Sequence, residues 1–315
     1  MRSNEKLTAA LLVAALAGVG CSKSDERLQA RVDIPHPKAT PVSMVNTSPV
    51  GDKGLDFTTK PAGPVSFTDG EEAYKAGNFS EATKIFEQYT SDKPKNAWGH
   101  YMLGLSAWKS GDAAKAEKAF DDSLSIDPNH LKSLVNLSRV LIEQGRFDDA
   151  LPKLTRAGEI DSKSADVQRL LGRTYEAQSK TDDAVHAYLG AIALDSKDAW
   201  SMNNLGLVFM AQGRHSDAVP LLARAVELRK DVAMFHNNLG MALEHTGRFV
   251  AAAGEYRGAL EADPGYDKAK QNLTRVEAVK TGTEEPFDLE ATAKSFTEKT
   301  PEPVKTPEPT EKSNQ

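Results

Sequence analysis

The chain has 315 residues, 39% hydrophobic and 27% charged, with 39 Lys and Arg against 45 Asp and Glu for a formal net charge of −6. That length admits one large or two ordinary domains, and the mildly acidic balance excludes a general attraction to nucleic acid or to anionic lipid. A single cysteine, Cys21, excludes an internal disulfide framework and every metal site built from several cysteines.

Residues 1–20 read as a signal peptide. Arg2 and Lys6 precede an apolar run over 7–19, and Gly20-Cys21 follows. A basic start, a short apolar stretch and small residues before a cleavage point make a secretory signal. The 13 apolar residues fall short of a bilayer span, which needs roughly 20. The run AGVGC resembles the lipobox of bacterial lipoproteins, although Gly18 stands where Leu is commonest in that family. The resemblance implies cleavage before Cys21, acylation of Cys21 and export to the cell envelope. Ser22 rather than Asp after the cysteine implies the periplasmic face of an outer membrane. An ordinary signal peptide with an incidental cysteine is the alternative. One acyl chain holds a membrane only marginally, whereas two or more anchor it stably.

Residues 21–65 carry many Pro, Ser, Thr and Lys, as in IPHPKATPV and TTKPAGPV, without helical or strand periodicity. They are expected to form a disordered, partly polyproline tether behind the lipidated cysteine.

Residues 66–280 are repetitive. Pro94 and Pro128 lie 34 apart, and Pro264 is four further periods along. Gly104, Gly172, Gly206 and Gly240 fall on the same grid, each preceded by Leu. So do a small column, Ala82 to Ala252, and a bulky one running Phe86, Phe120, Leu154, Tyr188, Leu222 and Tyr256. A period of 34 with Leu-Gly, Ala, an aromatic and Pro resembles the tetratricopeptide repeat. The resemblance covers six repeats without an insertion. It implies an all-α, right-handed solenoid of about six helix-turn-helix units, each an A helix and a B helix. Gly77, Gly111, Gly145, Gly213 and Gly247 suit the left-handed end of the A helices, with Ser179 in that place in the fourth repeat. Ser80, Asp148, Asp182 and Ser216 suit the start of the B helices. Ser138 replaces the packing glycine of the third repeat, and Ser162, Ser196 and Lys230 replace the terminal proline in repeats three to five. Residues 267–280 keep the A pattern through Leu273 and Val276 and are expected to cap the array. From 281 to 315 periodicity is lost; TPEP occurs twice, and a disordered, acidic, proline-rich tail is expected.

No phosphate-binding loop, nucleophile elbow or HExxH motif occurs, and the seven histidines are scattered. The reading is therefore not an enzyme, with no catalytic residue, metal, cofactor or small-molecule substrate expected, and no nucleic acid. What remains is a surface. The 3.6-residue period puts one set of A-helix positions on one face. The tetratricopeptide resemblance makes that face the concave groove where partners bind. Trp98, Tyr101, Trp108, Trp200 and Met241 fall there, suited to a peptide or helix. Met102 and Leu105 are weighed as packing between A helices instead. Asn136, Asn204, Asn238 and Asn272 share one position, with Asn203 and Asn237 beside it; the series resembles an asparagine ladder for a peptide backbone, or else family consensus without a ligand. Lys132, Arg139, Arg169 and Arg173 suit a partner's carboxylates, with pairing to Glu143, Asp166 and Glu176 as the alternative. The expected function is a membrane-tethered adaptor that binds a polypeptide of unknown identity in cell-envelope assembly. The alternatives are a recruiting partner of a separate envelope enzyme, such as a glycosyltransferase or peptidoglycan hydrolase, and a structural spacer.

Overall fold

The computed structural model describes residues 65–279 and 284–298. The signal segment, Cys21, the tether up to residue 64 and the tail beyond 298 lie outside the described residues. Those described contain fourteen helices and no strand. Six A/B pairs come first: α1 Phe67–Lys75 with α2 Phe79–Asp92, α3 Ala97–Lys109 with α4 Ala113–Ile126, and α5 Leu131–Glu143 with α6 Phe147–Ile160. They continue as α7 Ala165–Ala177 with α8 Thr181–Leu194, α9 Ala199–Ala211 with α10 His215–Leu228, and α11 Ala233–His245 with α12 Phe249–Ala262. Then come α13 Asp267–Glu277 and α14 Leu289–Glu298. No described helix is long and apolar enough to cross a membrane.

Each A helix ends in the same device. In the first repeat Asn78 N–H reaches back to Ala73 O at 3.0 Å and Gly77 N–H to Tyr74 O at 3.0 Å. That pair of bonds satisfies the last carbonyls and requires a left-handed residue. Gly77 supplies it at φ 80°, and in the fourth repeat Ser179 is held there at φ 59°. Because this turn leads straight into the B helix, the residues expected to cap B helices lie one step inside. Asn78, Arg146, Lys180 and Arg214 occupy the cap positions, and none of their side chains caps. Ser80, Asp148, Asp182 and Ser216 instead sit in the first turn, where the acids suit the helix dipole. Side-chain caps fall mostly on A helices: Asn96 accepts from Gly99 N–H at 2.8 Å, and His130, Ser164 and Asp198 do the same job, while among the B helices Asp112 caps α4.

The packing columns meet as the period implies. A methyl group on Gly172 would lie 2.6 Å from the Tyr188 ring, and one on Gly240 2.6 Å from Tyr256. Gly70 does the same for Phe86 in the first repeat, at 2.6 Å. Ser138 is fully buried, with its hydroxyl donating to Leu134 O at 2.7 Å. The turn after the B helices is held by an aspartate with or without the terminal proline: Asp161 and Asp195 accept from Lys163 and Lys197 N–H at 3.0 and 2.9 Å, as Asp127 and Asp263 do from Asn129 and Gly265 N–H. Helix α13 caps the array with Ala269 and Val276 buried.

One expectation is corrected. The segment after 281 is not wholly without structure: α14 packs along α10, a B helix, with Ala293 fully buried and Phe287, Leu289 and Phe296 against the core. It contacts no A helix, so the A face is not filled by this part of the tail.

Candidate partner-binding face

The A helices α3, α5, α7, α9, α11 and α13 lie side by side, and the positions expected to meet a partner are decided by what each already touches. Trp98 is 48% exposed, the most open aromatic of the series. Its ring stands edge-on to His130 at 4.8 Å and to Tyr101 at 5.5 Å, and Lys132 Nζ sits 5.0 Å above it. Tyr101 itself is buried against Phe120 and belongs to the core. Trp108 is half-buried and donates its indole N–H to Glu143 at 2.9 Å. Trp200 lies against Phe235 at 4.9 Å, half-buried, and Met241 packs on the same core, with the Asn237 amide 3.5 Å from its sulfur.

The asparagines divide. Asn238 Nδ2 donates to Asn203 Oδ1 at 2.8 Å, and Asn272 Nδ2 donates to Asn237 Oδ1 at 2.9 Å. Asn203, Asn237 and Asn238 are buried. These three therefore do not face a partner: they staple neighbouring A helices, each donor reaching a residue 35 positions earlier. A buried amide must be paired, and here two amides satisfy one another. Asn204 keeps partial exposure, its Oδ1 receiving the Asn203 amide at 3.3 Å. Asn136 donates to Lys132 O of its own helix at 2.8 Å and is otherwise half-exposed.

The basic cluster divides too. Arg139 bonds Asp166, which also bonds Arg169, and Arg169 reaches both oxygens of Asp198 at 3.1 Å. The chain of charges crosses α5, α7 and the cap of α9, and it uses up two of the expected anchors internally. Asp198 had no signal of its own; its place as an A-helix cap, 29 residues after Arg169, was the available clue. Arg173 is different. Among the described residues it is the one arginine with no hydrogen bond or ion pair in the structure. Burial pushes its guanidinium below the usual arginine range, and the nearby Arg169 and Arg139 add to that, against Tyr188 and Glu143. The acids around it are engaged: Glu143 by Trp108, and Glu176 by the Tyr188 hydroxyl at 2.8 Å. Burial raises the Glu176 carboxyl above its ordinary value. Among the described residues no group of three or more His, Cys, Asp or Glu is placed to hold a metal ion.

A family model described as "Tetratricopeptide repeat" matches residues 203–267. A second, described as "Cilia and flagella-associated protein 70 middle TPR-like domain", matches residues 70–229. No curated protein sequence matches the chain. Among solved structures, the APC/C hetero-tetramer Cut9-Hcn1 is similar at a TM-score of 0.59 and 17% identity over 66% of this chain, which spans only 41% of that one. A tetratricopeptide repeat protein from Parabacteroides merdae is similar at 0.55 and 15% identity, over 69% of this chain and 87% of that one.

Proposed function

Since the chain belongs to the tetratricopeptide-repeat family, we propose that it is an adaptor whose A-helix face grips a polypeptide segment of another protein. The observation that carries the reading is the pairing pattern on that face. Most of its polar groups are tied to one another, yet Trp98 is half-exposed and Arg173 is unpaired, and Asn136 and Asn204 keep partial exposure. A half-buried guanidinium without an anion is costly, and a carboxylate of the bound segment offsets that cost with a bidentate pair. The aromatic supplies apolar contact at small entropic cost.

The adaptor is held at a membrane through acylated Cys21 and works at the periplasmic face of the outer membrane in envelope assembly. The lipobox-like run and the tether behind it support this part. Labelling with a radioactive fatty acid, present in the parent and absent in Cys21→Ser, checks the anchor.

The groove is tested by a photoreactive residue at position 204 in intact cells, with the captured protein identified. Trp98→Ala with Arg173→Gln is expected to abolish the capture while the helical circular dichroism stays as in the parent. Capture that survives both substitutions rejects the face.

A further inference from the structure

The array makes one polar contact twice, once in full and once in part. In the last repeat the Tyr256 hydroxyl donates to Glu244 Oε2 at 2.8 Å. Arg275, 31 residues further on in the capping helix α13, completes it with Nε on Oε1 at 2.9 Å and Nη2 on Oε2 at 2.8 Å. A two-pronged pair of this kind is among the strong charge-assisted contacts. Burial works to raise the Glu244 carboxyl, but the hydrogen bonds from Arg275 and Tyr256 outweigh it and hold the group below its ordinary value.

In the fourth repeat, 68 residues earlier, the Tyr188 hydroxyl donates to Glu176 Oε2 at 2.8 Å in the same way. The guanidinium is missing, because Leu207 of α9 stands where Arg275 stands on α13. Among the described residues Glu176 Oε1 receives nothing, and the side chain keeps partial exposure. Burial, no longer outweighed, leaves this carboxyl above its ordinary value. The opposite half is left over on the same helix. Arg173 occupies the repeat position of Arg275, but the residue 31 before it is the buried, apolar Ile142 and not a glutamate. One face of α7 thus carries a cation without an anion and an anion without a cation. They are three residues apart, where Cβ atoms lie about 5–6 Å from each other, yet no ion pair joins them.

We infer that the segment gripped by the A face presents a basic side chain to Glu176, in the place Arg275 takes in the last repeat, next to an acidic side chain on Arg173. The inference rests on the adaptor reading and adds a charge pattern to it: the partner is a polypeptide with an arginine beside an aspartate or glutamate. Arginine is favoured over lysine, since Glu244 is met by two N–H groups of one planar fork. Leu207, half-buried, offers the arginine stem an apolar rest. Asn204 lies beside the Tyr188 hydroxyl, so a probe at that position reports on the same spot.

The probes are two fluorescein-labelled peptides, an Asp-Arg pair flanked by Gly and Ser residues and its twin with citrulline for arginine, which keeps the shape and loses the charge. The full-length chain is expected to bind the arginine peptide about ten-fold more tightly, the scale of one charge-assisted pair. Glu176→Gln and, separately, Leu207→Arg should each remove the preference, the second by filling the place from within; Glu176→Gln carries the test should Leu207→Arg not fold. The urea midpoint should respond less favourably to Leu207→Arg when Glu176→Gln is already present, because the new guanidinium then has no carboxylate to meet. Equal binding of the two peptides, no binding of either, a preference that survives these substitutions, or the same midpoint shift in both backgrounds overturns the proposal. Capture through position 204 without an arginine preference rejects this inference alone. A preference without capture rejects the adaptor reading and leaves the charge pattern standing.

Discussion

At the scale of single residues, two side chains carry measurable conformational or ionic work. Ser179 is forced to φ 59° because the turn closing α7 needs the left-handed region, which costs a residue with a Cβ. Ser179→Gly is expected to raise stability by about 1 kcal/mol in urea denaturation, since the glycine at the other turns adopts that region freely. A destabilised variant would mean that the Ser179 side chain contributes more than its strain. His236 sits between Glu255, 2.8 Å from Nδ1, and the Lys230 carbonyl, 3.1 Å from Nε2. Burial disfavours its charged form, but Glu255, the carbonyl and Glu261 outweigh it, so its pKa is raised above 6.5. A raised histidine contributes stability that is complete below the unfolded pKa and lost as pH climbs through the folded one. His130 and His215 are shifted down by burial, with the opposite slope. The test is therefore a difference: His236→Gln should lose stability relative to the parent at pH 6 and approach it at pH 9. A parent–variant gap independent of pH would remove the ionic account.

Between elements, neighbouring A helices are joined by amide staples as well as by apolar packing. Asn238→Ala deletes the bond from α11 to α9 and leaves Asn203 Oδ1 without that donor in a buried setting. The expected cost is about 1–3 kcal/mol in urea denaturation, with little change in helical signal. A cost near zero would show that Asn203 finds another donor. The staple illustrates what the sequence could and could not reveal. The A/B units were legible because Gly, Ala and the bulky column recur with one period, and each column reports its own repeat. Asn203 and Asn238 are 35 residues apart rather than 34, so their pairing depends on how one repeat is rotated against the next, which no column encodes. The same holds for Arg169 and Asp198, where a cap of one helix doubles as the partner of a side chain on another. Helix α14 was illegible for a different reason. Leu289, Ala293 and Phe296 are a single stripe without repetition, beside prolines and threonines, and the α10 surface that stabilises it lies more than 60 residues away. The exposed half of Trp98 and the unpaired Arg173 were legible as candidates only; which neighbours were already engaged required the packing.

The whole array has a seam. Its buried apolar side chains form one cluster from Ala82 to Leu170 and another from Ala184 to Ala293, with a small satellite of Leu134, Ala157 and Val167 beside the break. In a linear array, cooperativity passes only through neighbouring interfaces, so loosening the interface at the break allows the two sides to unfold separately. The break falls in the fourth repeat, where Ser179 strains the turn and where the chain Arg139–Asp166–Arg169–Asp198 crosses from α5 to α9. Ion pairs thus bridge the two clusters across α7, alongside the packing of Gly172 against Tyr188. Arg169→Leu leaves Asp198, whose side chain is 3% exposed, without its guanidinium; removing one partner of a buried pair costs about 3–5 kcal/mol, and the Ser201 hydroxyl at 2.6 Å lessens that cost. The tryptophans report the two sides independently, because Trp98 and Trp108 belong to the first cluster's repeats and Trp200 packs on the second. In guanidinium chloride the parent's transitions, read from Trp200→Phe and from Trp98→Phe with Trp108→Phe, are expected to lie close together. With Arg169→Leu added they should separate, and the side that melts first identifies the half that leans on the seam. If the two probes still coincide, the charges are ornament on a continuous core, and coupling between the halves must run through the helix packing of α7 on α8.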